Sequence, residues 1–215
     1  MDIYFFSGLG ADKRIFSKLK LPEKFHIHHI DWIVPVKKES LATYAERISS
    51  NIDSSNPVVL VGLSFGGIIA VEIAKLIKPK QVILISSVSQ RQQIPWYYRL
   101  AGALRLPILI PTAVLKSANP VLFKLFGALG KEQQQLLRMI LKDTDPQFLK
   151  WAIRMLPNWG NKIKIPDLVQ IHGTADHLLP LKPDQADIWV QNGGHLMVYN
   201  KHQELSNIIT SVIHG

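Results

Sequence analysis

An apolar run followed at once by a glycine-rich turn constrains the fold of this chain more than any other feature. Residues 58–61 read Val-Val-Leu-Val, and Gly-Leu-Ser-Phe-Gly-Gly follows before the apolar, helix-forming segment 68–77. An uninterrupted apolar strand is typical of a parallel sheet covered on both faces. The G-x-S-x-G pattern between strand and helix predicts a strained turn that presents Ser64 as a nucleophile. A plain glycine-rich turn with an ordinary serine is the alternative.

The turn around Ser64 requires glycine at positions 62 and 66 for steric reasons. Gly62 and Gly66 leave room where a Cβ would clash with the tight turn. The N-terminus of the following helix adds a field that favours developing negative charge. The turn therefore suits a serine whose hydroxyl attacks an electrophilic carbon.

Two later loops carry side chains that could activate this serine. Asp176 follows the apolar segment 167–171, and His195 follows the short apolar segment 187–190. If these segments are parallel strands, both loops leave the same sheet edge as Ser64. A serine hydroxyl needs a base, which His195 supplies, and Asp176 would hold the imidazole in the required tautomer. We therefore expect Ser64, His195 and Asp176 to form a catalytic triad.

A glycine-lined loop ends the first apolar segment. Residues 6–10 read Phe-Ser-Gly-Leu-Gly. Backbone N–H groups of Leu9 and Phe65 are predicted to bind the oxyanion of a tetrahedral intermediate. The alternative is again a simple turn between a strand and a helix.

Strand-like and helix-like segments alternate along most of the chain. This alternation indicates an α/β fold with a parallel sheet and helices on both faces. The predicted strands are 2–6, 25–32, 57–61, 81–85, 167–171 and 187–190, and the predicted helices include 12–19, 41–52, 68–77 and 201–213.

Positive charge is concentrated in the middle of the chain. The 215 residues carry a formal net charge of +9, and residues 91–160 hold ten cations against Glu132, Asp143 and Asp145, which is +7 of that total. We interpret 91–160 as a helical insertion into a core formed by 1–90 and 161–215. The cations are spread singly, which indicates a solvated outer face or an anion-attracting rim. No nucleic-acid motif accompanies them, so we expect no nucleic-acid partner.

Composition excludes several classes of protein. With 47% hydrophobic and 19% charged residues, the chain is not disordered. Cys is absent, which excludes a thiol nucleophile, a Cys-ligated zinc and disulfides, and fits a cytoplasmic location. The start, Met-Asp-Ile-Tyr, lacks the basic lead of a signal peptide. The longest uncharged run in the apolar tract, 106–115, is about half a bilayer span, so we expect no stable membrane insertion.

The motifs together resemble the α/β-hydrolase fold, in particular its carboxylesterase and lyase branch with a helical cap. The resemblance rests on residues 7–9, 62–67, 172–176 and 193–195, and on the order Ser, Asp, His along the chain. It implies a sheet of about six strands that lacks the usual first two, with 25–32 at an edge. The loop also begins with Ser7 where many relatives have His.

The resemblance further implies that 91–160 forms a cap, or lid, over the triad. Trp96, Tyr97 and Arg99 are candidate substrate-binding residues, since aromatic rings can line an acyl pocket and an arginine can clamp a carboxylate. Packing of the aromatic rings within the cap itself is an equal alternative. Further candidates for an apolar acyl pocket are Leu104, Leu106, Ile108, Leu122, Phe123 and Phe126. The tract could also touch a membrane surface as an amphipathic lid.

The favoured function is a serine hydrolase that cleaves an ester or thioester of a small to medium acyl group. Its partner would be that small-molecule acyl substrate, and no cofactor or metal is expected. One alternative is a lyase resembling the synthase of the menaquinone pathway, in which the triad abstracts a proton. Another is a non-catalytic receptor for a small ligand on the same fold. The sequence carries no signal for an oligomeric state.

Overall fold

A single sheet of six parallel strands forms the centre of the molecule. In the computed structural model, which describes residues 1–214, the sheet confirms the predicted α/β architecture. Along the chain, the strands are β1 (Asp2–Phe6), β2 (His26–Ile30), β3 (Val58–Leu63), β4 (Gln81–Ile85), β5 (Leu168–Gly173) and β6 (Ile188–Val190). In space they lie in the order β2-β1-β3-β4-β5-β6. The strand that carries the serine turn is therefore central.

Burial explains which strands are central and which lie at the edge. All six residues of β3 are buried, as expected for an apolar strand covered on both faces. Four of the five residues of β2 are exposed, and its histidines meet solvent at the sheet edge. His28 Nε2 lies 2.9 Å from Asp2 Oδ1, on the neighbouring strand β1. The predicted edge position of this strand is confirmed.

Helices cover both faces of the sheet. The α-helices are α1 (Leu41–Ser49), α2 (Phe65–Ile77), α3 (Trp96–Ala103), α4 (Thr112–Leu115), α5 (Pro120–Phe126), α6 (Lys131–Asp143), α7 (Pro146–Asn158), α8 (Met197–Asn200) and α9 (His202–His214). Short 3₁₀ helices occupy Lys13–Phe16, Arg91–Gln93 and Leu106–Leu109.

The predicted helix at 12–19 is wrong in type and length, because only the 3₁₀ helix Lys13–Phe16 forms there. Asp12 accepts a hydrogen bond from the Arg14 amide, and its carboxylate also pairs with the Arg14 guanidinium. These local bonds tie the chain into a tight turn, while the adjacent Ile15 and Phe16 are both buried. Neighbouring buried residues do not fit the one-sided apolar stripe of a longer surface helix.

Each face of the sheet has its own hydrophobic core. One core joins β-strand residues such as Phe5 to Leu137 of α6 and Ile209 of α9. The other joins Tyr44 of α1 and most of α2 to Trp151 of α7. The segment between β4 and β5 thus sends α6 into one core and α7 into the other. The division into a core and a cap at 91–160 stays a prediction.

No helix within residues 1–214 combines the length and apolar character needed to cross a bilayer.

Candidate active site

Ser64 lies at the sharp turn between β3 and α2. Its backbone has φ 53° and ψ −121°, a region that non-glycine residues rarely adopt. The Ser64 N–H donates to the Ile85 carbonyl at 2.9 Å, and the Ser87 hydroxyl donates to the Ser64 carbonyl at 2.6 Å. Bonds from β4 and the segment after it therefore hold the strained residue in place.

Two glycines allow the chain to pass close to this turn. A Cβ built on Gly62 would lie 2.4 Å from the Gly67 Cα, within the turn itself. A Cβ on Gly66 would lie 2.2 Å from the Ser7 carbonyl oxygen, on the loop after β1. Both contacts are with backbone that cannot swing away. Gly62 therefore permits the tight turn itself, and Gly66 permits the loop after β1 to lie beside it.

Ser64, His195 and Asp176 form one hydrogen-bonded chain. His195 Nε2 lies 2.9 Å from Ser64 Oγ, and His195 Nδ1 lies 2.8 Å from Asp176 Oδ2. All three residues are buried. An ionised carboxylate can only accept, so Nδ1 donates to Asp176 and the Nε2 lone pair faces the serine hydroxyl. This arrangement can take a proton from Ser64.

Asp176 is held as a carboxylate by its surroundings. Burial opposes its ionisation, but the electrostatic attraction and hydrogen bond of His195 outweigh that effect. The backbone N–H groups of Leu178 and Leu179 also donate to its Oδ1, each at 2.9 Å. Together these contacts lower the pKa of Asp176 to about 2. Asp176 therefore stays charged and stabilises positive charge on His195.

A second histidine touches the same carboxylate. His172 at the end of β5 is fully buried, and its Nε2 lies 2.9 Å from the Leu179 carbonyl and 3.4 Å from Asp176 Oδ2. Because a carbonyl only accepts, Nε2 must carry the proton. Nδ1 has no hydrogen-bond partner within residues 1–214. Burial lowers the pKa of His172, despite the nearby Asp176, so the ring is neutral at neutral pH.

The sequence offered only a weak signal for His172, a histidine four residues before the predicted acid. From the sequence alone, this residue could not be distinguished from an ordinary buried histidine. Its contact with Asp176 depends on how the loop folds back after β5. The sequence indicates that His172 is structural rather than basic, but its contact with Asp176 could not be predicted.

The two predicted oxyanion donors, Leu9 and Phe65, belong to segments close to the nucleophile. Phe65 is the first residue of α2, so its N–H has no partner inside the helix. Leu9 and Ser64 line the same cavity, and a Cβ on Gly8 would lie 3.3 Å from the Ser64 Cβ. Within residues 1–214, neither amide donates a hydrogen bond to a protein acceptor. Both remain available, and their role as oxyanion donors stays a prediction.

An apolar cavity of about 370 Å³ opens beside Ser64. Its wall contains no charged side chain; it is lined by Leu9, Ser64, Tyr98, Ala101, Leu106, Pro107, Ile110, Leu115, Leu122, Phe126, Leu141, Leu149, Ile153, Leu156, Pro157, Leu178 and Leu179. Most of these residues lie between β4 and β5. The segment predicted as an insertion therefore supplies most of the wall.

The wall differs from the pocket expected from the sequence. Trp96, Tyr97 and Arg99 are not part of it, and Trp96 and Tyr97 are exposed. The neighbouring Tyr98 turns inward instead, and its hydroxyl donates to the Leu178 carbonyl at 2.9 Å. Burial raises the pKa of Tyr98 to about 12, so it stays a neutral donor.

The further apolar candidates are divided between the wall, the core and the surface. Leu106, Leu122 and Phe126 line the cavity, and the Phe126 ring stands edge-on to His195 with centroids 5.4 Å apart. Phe123 is buried in one of the hydrophobic cores, whereas Leu104 and Ile108 are exposed. Which residues of a short apolar helix face inward could not be predicted from the sequence.

No group of three or more histidine, aspartate or glutamate side chains within residues 1–214 could hold a metal ion. The histidines of β2 illustrate this, since His28 pairs with Asp2 while Phe16 stacks on His29 with ring centroids 5.8 Å apart.

Comparisons with known proteins place the chain in one family. The sequence model of the alpha/beta hydrolase family matches residues 3–207. No curated protein matches the chain by sequence. Among solved structures, it is similar to MenH from S. aureus, with a TM-score of 0.72 and 19% identity over 100% of this chain and 93% of that one.

Two further solved structures share the fold. A lipase-esterase related protein from Clostridium acetobutylicum ATCC 824 has a TM-score of 0.68 and 17% identity, over 98% of this chain and 93% of that one. A bromoperoxidase from Bacillus anthracis has a TM-score of 0.74 and 13% identity, over 100% of this chain and 92% of that one. At these identities the likeness shows the fold alone, since one fold supports many chemistries.

Proposed function

We propose that this chain, which belongs to the alpha/beta hydrolase family, is a serine hydrolase that cleaves an ester or thioester of a small to medium acyl group. The observation that carries the proposal is that Ser64, hydrogen-bonded to His195, lines an uncharged, apolar cavity of about 370 Å³. A cavity of that volume suits a small ligand, and an aliphatic lining suits the hydrocarbon part of an acyl group.

The reaction would begin with acylation of the serine. Ser64 Oγ attacks the acyl carbon while His195 Nε2 takes its proton, and Asp176 stabilises the imidazolium that forms. The carbonyl oxygen becomes an oxyanion that the Leu9 and Phe65 amides bind. Collapse of the intermediate breaks the bond to the alcohol or thiol, which leaves with the proton from His195.

The second half-reaction needs a water molecule beside the same histidine. A small cavity of about 20 Å³ is lined in part by Gly8, Ser64, Phe126 and His195, and it has room for one water. That water would give its proton to His195 and attack the acyl carbon. Release of the acid then returns the proton to Ser64 and completes the cycle.

Two features favour hydrolysis over the lyase and receptor alternatives: the uncharged cavity wall and the contacts within the triad. A lyase acting on a polycarboxylate would require cations at the cavity, and Arg99 is not part of the wall. A pure ligand receptor would have no need of the ordered contacts from Ser64 through His195 to Asp176. Both features favour acyl transfer to water.

The test combines a fluorophosphonate probe with p-nitrophenyl esters of increasing acyl length. We expect covalent labelling of the wild type and turnover of the esters, both lost in Ser64→Ala. Ser54→Ala, a change at an exposed serine, should leave both intact. Labelling without turnover of any ester would point to the lyase instead. Absence of both would overturn the proposed enzyme.

A further inference from the structure

The outer side of the segment between residues 96 and 129 is unusually apolar for a solvent-facing surface. Seven of its large hydrophobic side chains are more than half exposed, namely Trp96, Leu104, Ile108, Leu109, Val114, Val121 and Leu129. Leu109 and Leu129 are exposed by 75% and 83%. Single exposed apolar residues are common, but so many within one short segment make it a candidate interaction surface. We call these seven residues and the polar residues between them the outer face.

The same short helices are apolar on their inner side as well. Tyr98 and Ala101 of α3 line the cavity beside Ser64, as do Leu115 of α4 and Leu122 of α5. A surface helix normally pairs one apolar side with one polar side. Here the cavity accounts for the inner apolar residues, and no part of the described chain covers the outer ones.

All formally charged side chains in residues 91–130 are positive. Residues 91–130 contain no Asp or Glu, and their cations are Arg91, Arg99, Arg105, Lys116 and Lys124. None of these five forms an ion pair within residues 1–214. Arg105 and Lys124 are exposed. The outer face therefore combines exposed hydrocarbon with unpaired positive charge.

We propose that the outer face docks onto the surface of an anionic phospholipid bilayer. Exposed Trp and Tyr side chains partition into the headgroup region, and Trp96 and Tyr97 are both exposed here. Leu104 and Leu109 would enter the acyl boundary, while Arg105 and Lys124 pair with lipid phosphates. A second copy of the chain fits this face poorly, because it would bring two surfaces of the same charge together.

Docking would also bring the bilayer next to the reaction cavity. The helices that contact lipid on one side line the cavity on the other, so a hydrophobic substrate would have a short path to Ser64. This consequence rests on the proposed function, whereas docking itself does not. Binding to vesicles is measured without turnover, so either proposal can fail while the other stands.

The experiment measures co-sedimentation of the protein with phosphatidylcholine vesicles, with and without phosphatidylglycerol. We expect binding only to the anionic vesicles, weakened by added salt. Arg105→Glu/Lys124→Glu should lower the partition coefficient by about tenfold or more, since each cation near the surface contributes measurably to binding. Lys37→Glu/Lys164→Glu makes the same change in net charge at exposed sites elsewhere and serves as the matched control.

The apolar contribution is tested separately. Leu104→Ser/Leu109→Ser should weaken binding at constant charge, whereas Val36→Ser, an exposed site away from the outer face, should not. The emission of Trp96 should shift to shorter wavelength on binding, and Trp96→Phe should remove that shift. Circular dichroism checks that each variant is folded.

Several results would overturn the docking surface. One is failure of the wild type to bind anionic vesicles. Another is equal loss of binding in the outer-face and control charge variants, which would indicate attraction to net charge alone. A dimer in sedimentation velocity that Leu104→Ser/Leu109→Ser converts to monomer would show that a second copy covers the face instead.

Discussion

His172, near the end of β5, and Asp176, on the loop that follows, are both buried, with Nε2 of the histidine 3.4 Å from Oδ2 of the carboxylate. The same Nε2 donates to the Leu179 carbonyl, whose own N–H donates to Asp176. The predicted acid is therefore contacted both by His172 of β5 and by the loop that follows the strand. His172 acts through Asp176 and is a positioning residue.

Replacing His172 should loosen this loop. In His172→Leu the buried Leu179 carbonyl loses its donor, which should cost about 1–3 kcal/mol in the free energy of unfolding. His172→Gln keeps a side-chain N–H and should recover part of that loss. Urea unfolding of the three proteins measures the difference. Equal destabilisation by Leu and Gln would show that the hydrogen bond is not the cause.

The same variants should change how stability depends on pH. Burial lowers the pKa of folded His172 below 6.5, while the unfolded chain binds a proton at about 6.5. The wild type should therefore lose stability as pH falls below 6.5, because protons favour the unfolded state. His172→Gln lacks this group, so its unfolding free energy should fall less over that range. Parallel pH curves for the two proteins would contradict the neutral, buried state of His172.

The strands next to the serine turn, and the turn itself, could be predicted from the sequence. The bounds of β1 and β4 agree with the prediction, and the turn at Ser64 was recognisable because strand, glycines and helix are adjacent in the chain. Helix α2 begins earlier than predicted, at Phe65 rather than residue 68. Gly66 and Gly67 weaken local helix propensity, but packing against β1 and β4 outweighs it.

The cavity wall could not be derived in the same way. Residues 96–98 read Trp-Tyr-Tyr, and nothing local distinguishes Tyr98, which lines the cavity, from Trp96 and Tyr97, which face outward. When a short helix is apolar all round, its pattern does not select an inner side. Only packing of α3 against α7 decides the question.

Asp176→Asn tests the carboxylate directly. An amide can offer its N–H to His195 and favour the wrong tautomer, so kcat for a p-nitrophenyl ester should fall by about 10⁴. Asp187→Asn, on the exposed residue before β6, changes an aspartate outside the triad and should have little effect on kcat. Near-normal activity of Asp176→Asn would mean that another acid serves His195.

Asp176 should also affect how the free energy of unfolding depends on pH in acid. Its pKa is about 2 in the folded protein and 3.8 in the unfolded chain. The ionised carboxylate therefore contributes about 2 kcal/mol above pH 3.8, and this contribution is lost as pH falls towards 2. In Asp176→Asn this part of the pH dependence should be absent from unfolding curves measured across that range. An unchanged pH dependence in acid would show that the depressed pKa is not coupled to folding.

The volume of the cavity should set the acyl length that the protein accepts. Ile153 lines the wall, and Ile153→Phe fills part of the space beside Ser64. Longer esters should lose kcat/KM by about fourfold for each methylene that no longer fits, from ~0.8 kcal/mol per buried methylene. Ile163→Phe, at an exposed site outside the cavity, serves as the control. A chain-length optimum that both variants share with the wild type would place the acyl group elsewhere.

The backbone of residues 6 and 7 passes so close to Gly66 that a side chain there would not fit. Its replacement should lower both stability and turnover. In Gly66→Ala the new Cβ would lie 2.2 Å from the Ser7 carbonyl oxygen and 2.3 Å from that of Phe6. Because both are backbone atoms, β1 and the Leu9 loop must move away from Ser64, at a cost of about 2–4 kcal/mol. Gly160→Ala is the matched control, since no atom lies within 4 Å of its Cβ position. Thermal unfolding should separate the two variants clearly, and ester turnover should fall only in Gly66→Ala. If Gly66→Ala kept both its stability and its turnover, the absence of a side chain at Gly66 would not be what allows the loop after β1 to lie beside Ser64.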